Sequence, residues 1–505
     1  GQLRFGSAGA IGNSPTVIVE NPANPGSSDT NALQLSGGIT LGSGRTLILR
    51  NNSTSNIPNA RTAFGNSSGN NTWLGSIVLD RGVNQTLTST SGILTIAGNI
   101  SQSANPSTSM FIRGNSNGVI TGNINLGSGQ IAKTDGGAWT ISSTGNVHGT
   151  VALANGNLIV NATNALNPAS TLVLGEGNGN NGRPTINAGF TQSFAVIGPT
   201  SAVGSTGSHA IDGAGALDVG PSGQVITVND STAANDLTIT APIIGAGGIT
   251  KTGLGNLVLN NTTSGPVAVS SGTLTSSATL GGLSLASGTT LVPGTLTSAG
   301  TIATPTLSLT GGTIEVNLGS AGSDAINVAN SGGFTQSGLT TLKVTPNGGF
   351  DPASTFYPVI NYTGTSPGIS GFQVATLPGR LVGNVTDNGS AIGITATNDR
   401  VIWTGAALSG NWDVNTTTNW KKQSDSSSTN FLSQDDVIFN NDGIAQNSIN
   451  LTGTINPVRV EFAQTGANTY ILASGTLSGE GSMPLIQSGT GTTILRNANT
   501  FTGPV

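Results

Sequence analysis

Three G-x-S-x-G strings, Gly65 to Gly69, Gly114 to Gly118 and Gly364 to Gly368, set a serine where an acyl-transfer nucleophile would stand on a sharp strand-to-helix turn. Such a serine needs a base, and the chain holds only His148 and His209. No helical periodicity follows any of the three strings. Pro367, next to Ser366, lacks the backbone N–H that an oxyanion hole would use. In a chain with 76 glycines, strings of this form arise from composition alone. "GNGNNG", Gly177 to Gly182, has the G-x-G-x-x-G form but runs into "RPTI" with no helix to receive a phosphate, so it reads as a loop. "GAGALDV", Gly213 to Val219, has the form of one calcium-binding nonapeptide, and such sites need tandem copies to complete a coordination shell.

Asp435, Asp436 and Asp442 are the densest carboxylates. A carboxylate pair can act as acid and base or hold a cation, but neighbours on a strand face opposite sides, so a solvated turn is their expected setting. Trp403, Trp412 and Trp420 fall within 18 residues of a chain that has five Trp. Aromatic faces stack on sugar rings, which makes these three candidate glycan contacts. The competing expectation is that they fill or cap a layer of the core with their N–H groups partnered. No catalytic, cofactor-binding or metal-ligating set emerges, and the chain is expected not to be an enzyme.

The elements that would position such groups are legible in composition. Charged residues make up 7%, against about 25% in ordinary soluble proteins, and the aliphatic content and a net charge of −5 oppose disorder. Short Val/Ile/Leu/Thr runs such as "RTLILRN", "SIVLDRG" and "STLVLGEG", bounded by Gly, Asn and Ser, predict many short strands. With no basic run, nothing stands ready to neutralise phosphates, so nucleic acid is not an expected partner. No apolar run is long enough to insert in a membrane. The absence of cysteine removes disulfides and thiolate chemistry, and is in keeping with export through a bacterial envelope.

Internal self-similarity is the strongest signal. Lys133, Trp139, Gly149, Val151, Gly156 and Leu158 find counterparts in Lys251, Leu257, Gly265, Val267, Gly272 and Leu274. Gly137, Ile141, Gly149 and Val151 match Gly491, Leu495, Gly503 and Val505. His148 stands where the other copies have a turn residue and reads as a corner residue. Gly1, Leu3, Phe5 and Ala10 match Gly156, Leu158, Val160 and Ala165, so a link of four residues from Val505 to Gly1 would restore a whole repeat. The expectation is a section of something longer, with a super-repeat of about 509 residues.

"GAGGITKTGLGNLVLNNTTSGPVAVSSGTL", Gly245 to Leu274, resembles the passenger-associated transport repeat, also called the autotransporter-associated β-strand repeat, of Gram-negative autotransporter passengers. "GTGTTILRNANTFTGPV", Gly489 to Val505, is similar to its N-T-F-T-G portion. "GSDAINVANSGGFTQSGLTTLKV" through "STFYPVINYTG" and "WTGAALSGNWDVNTTTNW" through "DDVIFNNDG" are similar to neighbours of that repeat in very large surface proteins. The resemblance implies an all-β, right-handed parallel β-helix, an elongated rod of roughly 20 to 25 residues per rung with strands about 4.8 Å apart. Three sections are expected: 1–276 with transport-type repeats at 129–175 and 245–281, a continuation over 277–400, and a Trp-rich element leading to a further repeat over 401–505. The implied role is a section of an extracellular, bacterial cell-surface fibre, stalk or surface layer, with adjoining copies as partners end to end. An adhesin rod that binds cell-surface glycans or neighbouring cells is the alternative, and a polysaccharide-degrading β-helix the third reading.

Overall fold

A computed structural model describes every residue except 22–31, 52–61, 81–83, 104–107, 176–180, 199, 201–206, 296, 320–321, 348–355, 376, 378–379 and 480–482. The described chain is a parallel β-solenoid. Its helical content among the described residues is one 3-10 segment, Asn441–Gln446. It divides into two compact units, Gly1–Ser284 and Leu285–Val505.

In the first unit the chain visits three faces in turn and returns to the first one rung later. Ser109–Arg113, Gly118–Ile120 and Ile124–Asn125 illustrate the path, and Gln130–Lys133 returns to the first face, pairing in parallel with both Ser109–Arg113 and Thr150–Leu153. The strands are short because each must turn a corner after a few residues. They stay in register because alternate side chains point inward and stack on the same residue type: Ile131 on Val151 on Leu172, all fully buried. Each buried aliphatic of this kind contributes about 1.5–3 kcal/mol. Rung length is more variable than the expected 20 to 25 residues. Leu257 pairs with Leu274, 17 positions on, whereas Leu33 pairs with Phe64, 31 positions on. Inward positions hold the register while the corners absorb the difference in length.

Among the described strands of the second unit, two groups depart from a purely parallel coil. Ala391–Asn398 pairs antiparallel with Leu381–Asp387 and with Tyr357–Asn361. Val401–Trp403 pairs antiparallel with Trp420–Lys422 and parallel with Asp436–Phe439. From there the parallel ladder runs on through Arg459–Phe462 to Leu485–Gln487, with a second face formed by Ser448–Leu451, Thr469–Ala473 and Thr492–Leu495.

Candidate functional site

One polar arrangement recurs at one type of corner, where a strand of the first face turns onto the second. Lys133 ends its strand there with its side chain fully buried. Its Nζ donates to the carbonyls of Thr134 (2.6 Å) and Asp135 (2.6 Å) in its own turn, and to that of Asn155 (3.2 Å) one rung on. Lys251, also fully buried, repeats the arrangement with Thr252 (3.3 Å), Gly253 (2.7 Å) and Ser271 (2.9 Å). The ammonium supplies the three donors that carbonyls turned inward at a tight corner would otherwise lack. Gly156 and Gly272 follow directly on the next-rung acceptors, in left-handed conformation (φ 75° and 72°); a Cβ at either would sit 2.6 Å from the lysine Nζ. Lysine and glycine are thus two halves of one clamp.

Burial pushes both ammonium groups down, to about 8, against the opposing pull of Asp135 on Lys133 and of Asp236 on Lys251. Neutral side chains do the same work elsewhere. Asn66 donates to Gly69 O (2.8 Å) and, a rung on, to Ser91 O (2.7 Å). Gln336 donates to Gly338 O and to Gly371 O (2.8 Å), and Gln464 reaches Thr492 O (2.9 Å). Gln487 stands four residues before Gly491, as Lys133 does before Gly137, and donates to the carbonyls of Gly489 (3.1 Å) and Gly491 (3.3 Å). Sequence reasoning marked the lysines only as repeat positions and missed the amides; the spacing to the glycine was the available signal. Gly149 and Gly265 lie against the preceding rung's backbone, 2.5 Å from Ser128 O and Gly245 O if given a Cβ, and Gly503 lies beyond the last strand.

The serines of the G-x-S-x-G strings sit on strands or turns. Ser67 donates to Leu35 O (3.1 Å), and Ser366 is hydrogen-bonded to the carboxylate of Asp387, which also accepts from Tyr362 OH (2.6 Å). Ser366 therefore has a carboxylate beside it where a nucleophile would need an imidazole. His148 is at a corner but turned inward: its Nε2 accepts from Asn167 N (3.0 Å), and burial lowers its pKa to about 4. In "GAGALDV", Asp218 accepts from Gly220 N (2.8 Å). "GNGNNG" lies mostly outside the described residues, with Asn181 and Gly182 opening the strand Asn181–Ile186.

Two expectations need correction. Asp435 and Asp436 do not lie in a solvated turn; both are buried. Asp435 accepts from Leu432 N (2.7 Å) and faces Arg380 Nε at 3.4 Å, and burial raises its pKa to about 6. Asp436 pairs with Arg400 (3.0 Å), which also holds Glu461 (2.6 Å). The guanidinium groups come from distant positions in the chain, which is why the short acidic run gave no sign of them. Asp442 alone stays half-exposed, paired with Lys421 (2.7 Å). The three tryptophans do not present a glycan platform either. Trp403, Trp412 and Trp420 are buried among Phe431, Phe439 and Phe462, with Trp403 and Trp420 edge to face at 5.0 Å. Trp403 Nε1 donates to Gln446 O (2.9 Å), whereas the buried Nε1 atoms of Trp412 and Trp420 meet no partner among the described residues, against the expectation that all three would be partnered. Their large apolar area favours the core over exposure, and neighbouring rings pack edge to face around them.

The segment from Ile249 to Thr275 holds a complete clamp, with Lys251 and Gly272 inside it, and that same segment matches a family model. The chain carries the passenger-associated transport repeat. The family model matches at residues 249–275 and again at 485–505, where Gln487 takes the lysine's place. The repeat is a mark of autotransporter passenger regions, so it points to a secreted or cell-surface protein. Comparison with curated proteins and with solved structures gave no match.

Proposed function

We propose that the chain is a structural section of a large secreted surface protein, stacked rung on rung with adjoining copies into a fibre, stalk or surface layer. One observation carries this reading: polar groups at the corners tie each rung to the next. The clamps of Lys133, Lys251, Gln336 and Gln464 all end on a carbonyl one rung on. A parallel coil held in this way is a sum of neighbour interactions, and any further rung added to it gains the same contacts. Gln2–Phe5 and Thr492–Leu495 are edge strands, with Leu3, Ile494 and Leu495 partly or largely exposed, and an edge of this kind pairs readily with another strand. No catalytic activity belongs to this reading.

The test is cryo-electron microscopy of native surface material, with rungs traced outward from both edge strands. Continuous density running from Thr492–Leu495 into further rungs supports the stacked reading. Isolated particles with both edges covered by other structure would overturn it.

A further inference from the structure

A groove of about 360 Å³ crosses the outer surface of the first face in the unit Gly1–Ser284. Its walls follow from strand register. Leu33, Leu35, Phe64 and Leu87 point inward and are buried, so their neighbours on the same strands point outward. Gln2, Ala32, Ala63 and Thr86 form one column on successive strands. Gln34, Gly65, Thr88 and Arg113 form a second. The hollow exists because Ala32, Ala63 and Gly65 carry almost no side chain where their neighbours carry Gln, Thr or Arg. At one end Asp135 closes it, with Arg113 Nε 3.4 Å from Asp135 Oδ2. The hydroxyl of Thr86, a lining residue only 5% exposed, has no hydrogen-bond partner among the described residues.

We propose that this groove binds a neutral polysaccharide in extended form, with successive sugar rings lying against successive rungs. Rungs repeat about every 4.8 Å, close to the rise of an extended pyranose chain, so such a ligand meets an equivalent set of groups at each step. The lining consists mainly of amides and hydroxyls, which exchange hydrogen bonds with sugar hydroxyls. The single ion pair offers an acceptor and a donor side by side for a vicinal diol. Asp135 repels a polyanion, and Arg113 is already committed to it. A monosaccharide would gain too little over water in so open a hollow; several rings bound at once offset the loss of freedom. The role is independent of rung stacking, and it places the sugar contact on a sheet face far in sequence from the buried tryptophans.

Isothermal titration of the 505-residue chain against cellohexaose, laminarihexaose and mannohexaose, with dextran and polygalacturonate alongside, tests the proposal. At least one neutral series is expected to bind, with affinity rising tenfold or more from dimer to hexamer. Thr86→Val and Asp135→Asn are each expected to weaken binding at least threefold, whereas Gln487→Ala leaves it unchanged. Hydrogen exchange with the bound hexamer provides a reading that needs no variant: protection is expected at Asn84–Ser89 and Ser109–Arg113. Failure of every neutral hexamer to bind at millimolar concentration would overturn the proposal. So would preference for polygalacturonate, protection elsewhere on the chain, or binding unmoved by both substitutions in folded protein.

Discussion

In the unit Gly1–Ser284 the corner after the first face is held by Asn66 and by two buried ammonium groups, Lys133 and Lys251. In Leu285–Val505 the corresponding corners are held by the neutral amides of Gln336 and Gln464. A lysine brings three donors and a long stem at the cost of desolvating a charge; an amide brings two donors and an acceptor without that cost. The second unit places its buried charge elsewhere, in the Asp435 and Asp436 pairs with Arg380 and Arg400, beside an aromatic cluster. The geometric demand at a corner is thus a donor aimed at the next rung, and charge is optional. The two units must therefore differ in what breaks them and in how they respond to pH.

The largest effect is expected from the aromatic cluster. Trp420→Ala removes a ring packed against Trp403, Trp412, Phe431 and Phe439, and costs about 3–5 kcal/mol by cavity formation. Hydrogen exchange should quicken across residues 401–505 and stay unchanged over Gly1–Ser284. Equal loss of protection in both units would show that they do not unfold separately.

Next comes the clamp itself. Lys251→Met keeps the stem but takes the ammonium donor from the carbonyls of Thr252, Gly253 and Ser271, leaving Gly253 O only the Ser271 hydroxyl (3.3 Å), for a loss of about 2–3 kcal/mol. Lys251→Gln, which copies the arrangement at Gln336, should cost only about 1 kcal/mol because a single amide hydrogen bond is worth roughly that much. The readout is exchange over residues 249–275. Should Gln prove as damaging as Met, the charge and not the donor would be the essential part, and the likeness between the two units would fail.

A smaller effect follows from the depressed lysine pKa values. Between about 8 in the folded chain and 10.5 unfolded, the unfolded state binds more protons, so stability rises with pH across that window. The gain is about 2 kcal/mol per lysine from pH 8 to pH 10. It should appear in denaturant melts followed by exchange in the first unit, and vanish in a Lys133→Gln, Lys251→Gln double variant. The second unit, with amides at its clamps, should show no such rise.

How much of this was legible in the sequence varies with the range of the interaction. The solenoid could be read because its signal is local and repeated: apolar runs of strand length, Gly and Asn at corners, and Lys133 and Lys251 at matching places. The role of the lysines was not legible, since a lone Lys in a polar phrase carries no sign that its neighbours will turn their carbonyls inward. Asp435 and Asp436 were misread for the same reason. Their partners Arg380 and Arg400 are distant in sequence, and only folding brings them close enough to make burial tolerable. The three tryptophans were read both ways, and core packing won because Phe431, Phe439, Phe462 and Tyr470 converge on the same cluster from positions that the Trp spacing does not show.

The smallest expected effect separates the units most sharply, because it has opposite sign in each. His148, with a folded pKa of about 4 against 6.5 unfolded, binds fewer protons in the fold, so the first unit loses stability as pH falls through that range. Asp435, with a folded pKa of about 6 against 3.8, binds more protons in the fold, so the second unit gains stability as pH falls from 6 toward 4. Taking the chain from pH 7 to pH 5 should weaken Gly1–Ser284 and strengthen Leu285–Val505, each by about 1–2 kcal/mol. The buried imidazole cannot take a proton on Nε2 without losing the N–H of Asn167, whereas Asp435 Oδ1 meets no partner among the described residues and the carboxyl loses little on protonation. Asp435→Asn should abolish the gain in the second unit and leave the loss in the first untouched, as read by exchange in each unit at the two pH values. A fall of equal size in both units would mean that acid acts on the shared backbone of the solenoid and that the interior charges do not set its direction.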